Sequence, residues 1–144
     1  MAISRGEAMK EQTVREYMHS EVVACSPDTS AEAVVKLMDA EDVSAIVVVS
    51  EETDVVGVIS RTDLVDARFV QPHVKEWREM KAEHLMSWPV VCVAPGTSLP
   101  EAARLLRESQ IHRLVVVEEH GGHTEPVGIL SLTDLVKEAR ESDA

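Results

Sequence analysis

The chain repeats itself. Adding 68 to a residue number carries Met18 to Met86, Val22 to Val90, Pro27 to Pro95, Thr29 to Thr97, Leu37 to Leu105 and Val47-Val48-Val49 to Val115-Val116-Val117. The second copy then runs three residues longer between Glu118 and Glu125. Beyond that insertion an offset of 71 sets Gly57-Val58-Ile59-Ser60-Arg61-Thr62-Asp63 on Gly128-Ile129-Leu130-Ser131-Leu132-Thr133-Asp134. An ungapped match closed by one loop insertion is an internal duplication, so the fold must be two copies of one supersecondary unit. One copy is too small to bury a sheet, and the two are expected to pack face to face about a pseudo-twofold axis.

Within a copy, hydrophobic periodicity orders the elements. Val22-Val23-Ala24-Cys25 reads as a short strand stopped by Ser26-Pro27. From Thr29 to Asp42 the residues Ala31, Val34, Val35 and Met38 recur at helical spacing. Val43 to Val49 is a continuous β-branched run, expected as a strand buried on both faces. Glu51 to Asp54 is a polar hairpin turn, Val55 to Ile59 the next strand, and Asp63 onward a second helix. Each repeat is thus strand, helix, strand, strand, helix, an α+β fold. The expected divisions are a helical lead-in over 1–19, a repeat over 20–70, a connector over 71–82 interrupted by Pro72, a repeat over 83–140, and a tail.

The totals restrict function. Only 3% of residues are aromatic, so aliphatic strands and Leu, Met and Ala helices must supply the core. The formal charge of −12 and the scattering of Lys and Arg among acidic residues disfavour nucleic-acid binding. No apolar run approaches the length of a membrane span, and the first residues lack the apolar centre of a signal peptide. A soluble cytoplasmic protein is expected. Cys25 and Cys92 are one residue out of register between the copies and lack metal-site spacing, which predicts buried, reduced thiols.

The duplicated Gly-x-x-Ser-x-Thr-Asp stretch ends a strand and opens a helix. Free backbone N–H groups, hydroxyls and a carboxylate at such a junction suit a phosphate and a ribose diol. Ser-x-x-Asp is also a capping box, in which the two side chains serve only the helix start. Both readings apply to Ser60 with Asp63 and to Ser131 with Asp134.

Val55 to Leu64 and Val127 to Leu135, taken with Ile111-His112-Arg113-Leu114 and the duplication, resemble the tandem cystathionine-β-synthase (CBS) domain pair, also called a Bateman module. The likeness covers about Thr13 to Val136, and a stand-alone member with no further catalytic or DNA-binding domain is expected. It implies a regulatory module whose clefts between repeats hold AMP, ADP or ATP, or alternatively S-adenosylmethionine or NAD, with no required cofactor. By the same resemblance, Asp63 and Asp134 would accept from ribose hydroxyls. Ser60, Thr62, Ser131 and Thr133 would lie near ribose or phosphate. Thr29 and Thr97 would border the adenine, and His112 and Arg113 would reach the phosphate. The strand ends Gly57-Val58-Ile59 and Gly128-Ile129-Leu130 complete the expected sites. The family also implies a homodimer read by a separate regulated protein.

His112-Arg113 aligns with Ser44-Ala45, so this cationic pair is present once per chain and two clefts of unequal affinity are expected. Arg61, aligned with Leu132, either compensates in part or points to solvent. His120 and His123 flank Gly121-Gly122 in what reads as a solvated loop. No nucleophile elbow, phosphate loop or metal triad is present, so no enzyme is expected. The competing class is a constitutive dimerisation or interaction module in which Ser-x-x-Asp only caps.

Overall fold

The computed structural model describes residues 12–70 and 76–142. The earlier part of the expected lead-in helix, Pro72 of the connector and the end of the tail lie outside the described residues. The elements are α1 (Val14–Tyr17), β1 (Ala24–Cys25), α2 (Ala31–Glu41), β2 (Ala45–Val49), β3 (Val55–Ser60) and α3 (Arg61–Val65). A π-helical turn (Asp66–Val70) and a 3₁₀ turn (Trp77–Glu79) follow. The second half comprises α4 (Ala82–Leu85), β4 (Cys92–Val93), α5 (Leu99–Ser109), β5 (Arg113–His120), β6 (His123–Ser131) and α6 (Leu132–Glu141).

Two three-stranded sheets result, β1-β2-β3 and β4-β5-β6, each with a parallel first pair and an antiparallel second pair. The registers repeat the duplication: Ala24 faces Val47, and Cys92 faces Val115. Ile46 and Val48 turn to one core with Val34, Met38 and Ile59, while Leu114 and Val116 turn to another with Ala102, Leu106 and Leu130. Side chains alternate across a strand, so Val47 and Val115 occupy the opposite faces. They are buried too, on the side where β3 meets β6. The strands are therefore covered on both faces.

Each core is completed by a segment that precedes the other repeat in sequence. Val14 of α1 is fully buried in the core of the second repeat, and its N–H donates to the Thr97 carbonyl. Ala82 and Leu85 of α4 lie in the core of the first, and the Ala82 N–H donates to the Thr29 carbonyl. The expected lead-in thus serves the second repeat rather than the first.

Several expected boundaries shift for local reasons. Helices α2 and α5 end on Asp42 and Gln110 in the left-handed region (φ 53° and 55°), and Val43 and Ile111 donate back to the Met38 and Leu106 carbonyls. Those turns use the residues that were expected to open β2 and β5. The stretch Glu118 to Glu125 is ladder rather than loop: Glu118 pairs with Glu125 and His120 with His123 around Gly121-Gly122. Both glycines have positive φ, 57° and 87°, as a two-residue hairpin turn requires. His120 and His123 are accordingly exposed strand ends. Cys92 is also exposed and Cys25 half-buried, because each lies on a two-residue edge strand, which corrects the expectation of buried thiols. Desolvation still raises both thiols above their ordinary pKa, opposed at Cys25 by its hydrogen bond with Thr29. No helix among the described residues is long and apolar enough to cross a membrane.

Candidate functional site

Two related clefts open where the repeats meet. The wider, about 570 Å³, lies between the end of β6 with residues 18–21 on one side and residues 41–45 of the first repeat on the other. The narrower, about 220 Å³, lies at the corresponding place beside β3 and residues 111–113 of the second. The first is within the range of small-molecule sites, roughly 300–1,000 Å³.

At the head of each cleft a strand runs into a helix through the same hydrogen bonds. Ser131 Oγ accepts from the Asp134 N–H at 3.3 Å, while Asp134 Oδ2 accepts from the Ser131 N–H at 2.8 Å and from its hydroxyl at 3.1 Å. Ser60 and Asp63 repeat this at 3.3, 2.8 and 3.0 Å. Both pairs are capping boxes. The cap occupies one oxygen of each carboxylate, and the other turns to a residue of the segment just ahead of the neighbouring strand. Asp134 Oδ1 lies 2.9 Å from His19 Nε2, and Ser87 Oγ lies 3.5 Å from Asp63 Oδ1. Asp134 is 5% exposed, whereas the His19 side chain is 73% exposed. Asp134 itself does not line the wide cleft; the His19 imidazole that pairs with it does.

The remaining expected site residues separate by face. Ile129, Ser131 and Thr133 line the wide cleft; Val58, Ser60 and Asp63 line the narrow one. Ile59 and Leu130, one residue on, are fully buried in the cores and face away. Gly57 and Gly128 are buried beneath Met86 and Met18, which approach too closely for a Cβ. Thr62 is exposed and does not line its cleft. Thr29 and Thr97 line neither: Thr29 Oγ1 bonds Ser26, and both carbonyls receive the exchanged segments. Arg61 lies on a separate shallow groove beside Asp39 and Leu64 and does not line the clefts.

His112 lines the narrow cleft, and Arg113 lines both, with Nη2 3.5 Å from Ser44 Oγ. The guanidinium is therefore shared rather than assigned to one site. His19, Glu21, Glu41 and Asp42 are wall residues that the motif reading missed. The available signal was the duplication itself: His19 lies 68 before Ser87, and Asp42 68 before Gln110.

The CBS domain model matches residues 14–69 and 82–141, most of the chain. An uncharacterized protein of Methanopyrus kandleri is 28% identical over 90% of this chain and 63% of its own length. The inosine-5′-monophosphate dehydrogenase of Aquifex aeolicus is 25% identical over 85% of this chain, which spans only 23% of that enzyme. Among solved structures, an uncharacterized conserved protein from Pyrococcus horikoshii superposes with a TM-score of 0.74 at 25% identity, covering 93% of this chain and 96% of the other. The CBS domain pair of protein MJ0100, solved with 5′-methylthioadenosine and S-adenosyl-L-methionine, has a TM-score of 0.77 at 17% identity, covering 91% and 98%.

Proposed function

Because the chain belongs to the CBS domain family, we propose that it is a regulatory adenosine-binding module whose ligand, of the AMP, ADP or ATP class, seats in the wide cleft. The observation that carries this reading is the Asp134 carboxylate: Oδ2 is committed to the cap, and Oδ1 is held by an exposed His19 that a ribose diol can replace. The MJ0100 pair, which shares the fold, was solved with adenosine compounds, and this supports the ligand class. The match to the dehydrogenases spans about a quarter of their length, so no dehydrogenase chemistry is carried over.

A bound ligand regulates by favouring one arrangement of the repeats over another, and we assign the response to a separate partner protein. A homodimer belongs to the same reading. Val65 of α3 and Val136 of α6 occupy equivalent positions in the two repeats and are 51% and 67% exposed. The completed capping boxes favour a second reading, a constitutive interaction module with no ligand.

Thermal unfolding with adenosine compounds separates the two. At about 100 times the dissociation constant a ligand adds about 2.7 kcal/mol to stability, a midpoint rise of roughly 5–11 °C for a chain of this size. Asp134→Asn is expected to weaken binding at least about tenfold, or ~1.4 kcal/mol. Without ligand the same change costs up to about 1 kcal/mol through the weakened cap and helix-end charge. No midpoint change with any adenosine compound at millimolar concentration leaves the constitutive module.

A further inference from the structure

The β5–β6 hairpin carries a side-chain cluster that neither cleft uses. Glu118 and His120 alternate with Glu119 along β5, so both leave the same face of the ladder. Glu125 lies directly opposite Glu118 on β6 and shares that face. His120 Nε2 is 3.5 Å from Glu118 Oε1 and 3.3 Å from Glu125 Oε1. One donor atom from each of the three residues lies within 4.8 Å of the others. Spacing along the chain does not show the group, because Glu125 joins it only across the ladder.

Carboxylates directly opposite each other on a ladder repel, and here the imidazole stands against both. Its distances to them are longer than the roughly 2.7–2.9 Å of a charge-assisted hydrogen bond. They match the spacing of about 3.3–3.6 Å between neighbouring ligands of a tetrahedral ion whose bonds are about 2.0–2.2 Å. Arg15 Nη2 lies 3.3 Å from Glu118 Oε2, so α1 orients this carboxylate and Oε1 is the oxygen left for the imidazole side. The first repeat has Ser50 and Asp54 at the positions of Glu118 and Glu125. There the Ser50 N–H donates to the Asp54 carbonyl and Ser50 Oγ accepts from the Asp54 N–H, which closes the turn at once. The three extra residues of the second hairpin lengthen the ladder as far as His120 and bring an imidazole beside two carboxylates.

We propose that Glu118, His120 and Glu125 form a surface site for a divalent transition-metal ion of the zinc class, with water in the fourth position. One imidazole nitrogen with two carboxylate oxygens suits zinc, whereas magnesium and calcium favour all-oxygen sites. The two carboxylates balance the charge of the ion, and the ion removes their repulsion across the ladder. The His120 and Glu125 side chains are 62% and 63% exposed, so the ion reaches the site directly from solvent.

Calorimetric titration of Zn²⁺ into metal-free protein at about pH 7.5, where an ordinary imidazole is mostly neutral, tests this, with hydrogen exchange to locate the ion. His120→Ala, Glu118→Gln and Glu125→Gln are each expected to weaken zinc binding at least about tenfold, since even the loss of contacts that support a metal ligand costs that much. His84→Ala, which removes an exposed histidine of α4, should leave the affinity unchanged. None of these four side chains is buried, so the urea midpoints without metal should stay close to that of the unaltered protein. Zinc should slow exchange across residues 118–125, and a large excess of Mg²⁺ should not displace it. Zinc binding that survives His120→Ala, or that slows exchange elsewhere and not in the hairpin, overturns the proposal. Absence of zinc binding overturns it too and leaves His120 as an ion-pair partner of the two glutamates.

Discussion

Val14→Asp is expected to open the second repeat first, although residue 14 lies ahead of the first. Val14 is fully buried among Val93, Leu99, Ala102, Leu106, Leu114, Val116 and Leu130, all from the second repeat. Its N–H and that of Arg15 donate to the carbonyls of Thr97 and Pro95, so the backbone is fixed there as well. An unpaired carboxylate at that point has no cationic partner in the cluster, and such a burial costs about 3–5 kcal/mol. That is a large share of the roughly 5–15 kcal/mol that stabilises a typical domain. Urea unfolding should show a lower midpoint, and hydrogen exchange should accelerate first in β4, β5 and β6. Ala82→Asp is the mirror experiment, since Ala82 is fully buried in the first repeat's core, and it should expose β1, β2 and β3 first. Early loss of protection in the first repeat on changing Val14 would contradict the exchange of segments.

The exchange also shows where the sequence stops being informative. Periodicity found the strands and helices because one-sided burial imposes it: Ala31, Val34 and Met38 of α2, and Leu99, Ala102 and Leu106 of α5, are the buried residues of their helices. The duplication carried strand pairing, since equivalent residues take equivalent partners. What no periodicity encodes is which of two similar cores receives a four-residue helix such as α1 or α4; the choice is made by tertiary contacts, here the carbonyls at the two Pro-containing turns. In the hairpin of the second repeat, Gly121-Gly122 and its polar flanks carry the composition of a loop. Two consecutive glycines at positive φ instead allow the ladder to continue to the turn.

The site was legible to a similar depth. Ser-x-x-Asp marked the strand-to-helix junction in both copies, and both functions of the motif concern the same carboxylate. The hydrogen bonds divide it by oxygen atom, Oδ2 to the cap and Oδ1 toward the exchanged segment. His19 and Ser87 were hidden because each meets the motif of the repeat it does not precede, His19 that of Asp134 and Ser87, 24 residues on, that of Asp63. They come near it only through the backbone bridges that join His19 to Ile129 and Ser87 to Val58.

Those bridges pass directly over the two motif glycines, and Gly128→Ala is expected to cost about 1–3 kcal/mol through overpacking. A Cβ on Gly128 would lie 2.9 Å from Met18 Cγ and 3.0 Å from the His19 carbonyl oxygen. The methionine has rotamers to yield with. The carbonyl does not, because it accepts from the Ile129 N–H at 3.0 Å while the His19 N–H donates to the Ile129 carbonyl at 2.9 Å. Relief therefore requires the lead-in to move off β6, and because residues 18–21 wall the wide cleft this should weaken ligand binding along with stability. At Gly57 the three nearest atoms all belong to the Met86 side chain, with Cγ at 2.6 Å and Cβ at 2.8 Å. Met86→Ala retains the Cβ but removes the two atoms that crowd it most. Double-mutant cycles should register partial relief, with Met86 Cβ still in place: Gly57→Ala with Met86→Ala should show favourable coupling of about 0.5–3 kcal/mol. Gly128→Ala with Met18→Ala should likewise recover only part of the loss, because the His19 carbonyl stays in place. Full recovery at Gly128 would mean that the lead-in yields as easily as a methionine side chain, and that His19 is not held over Asp134 by the backbone.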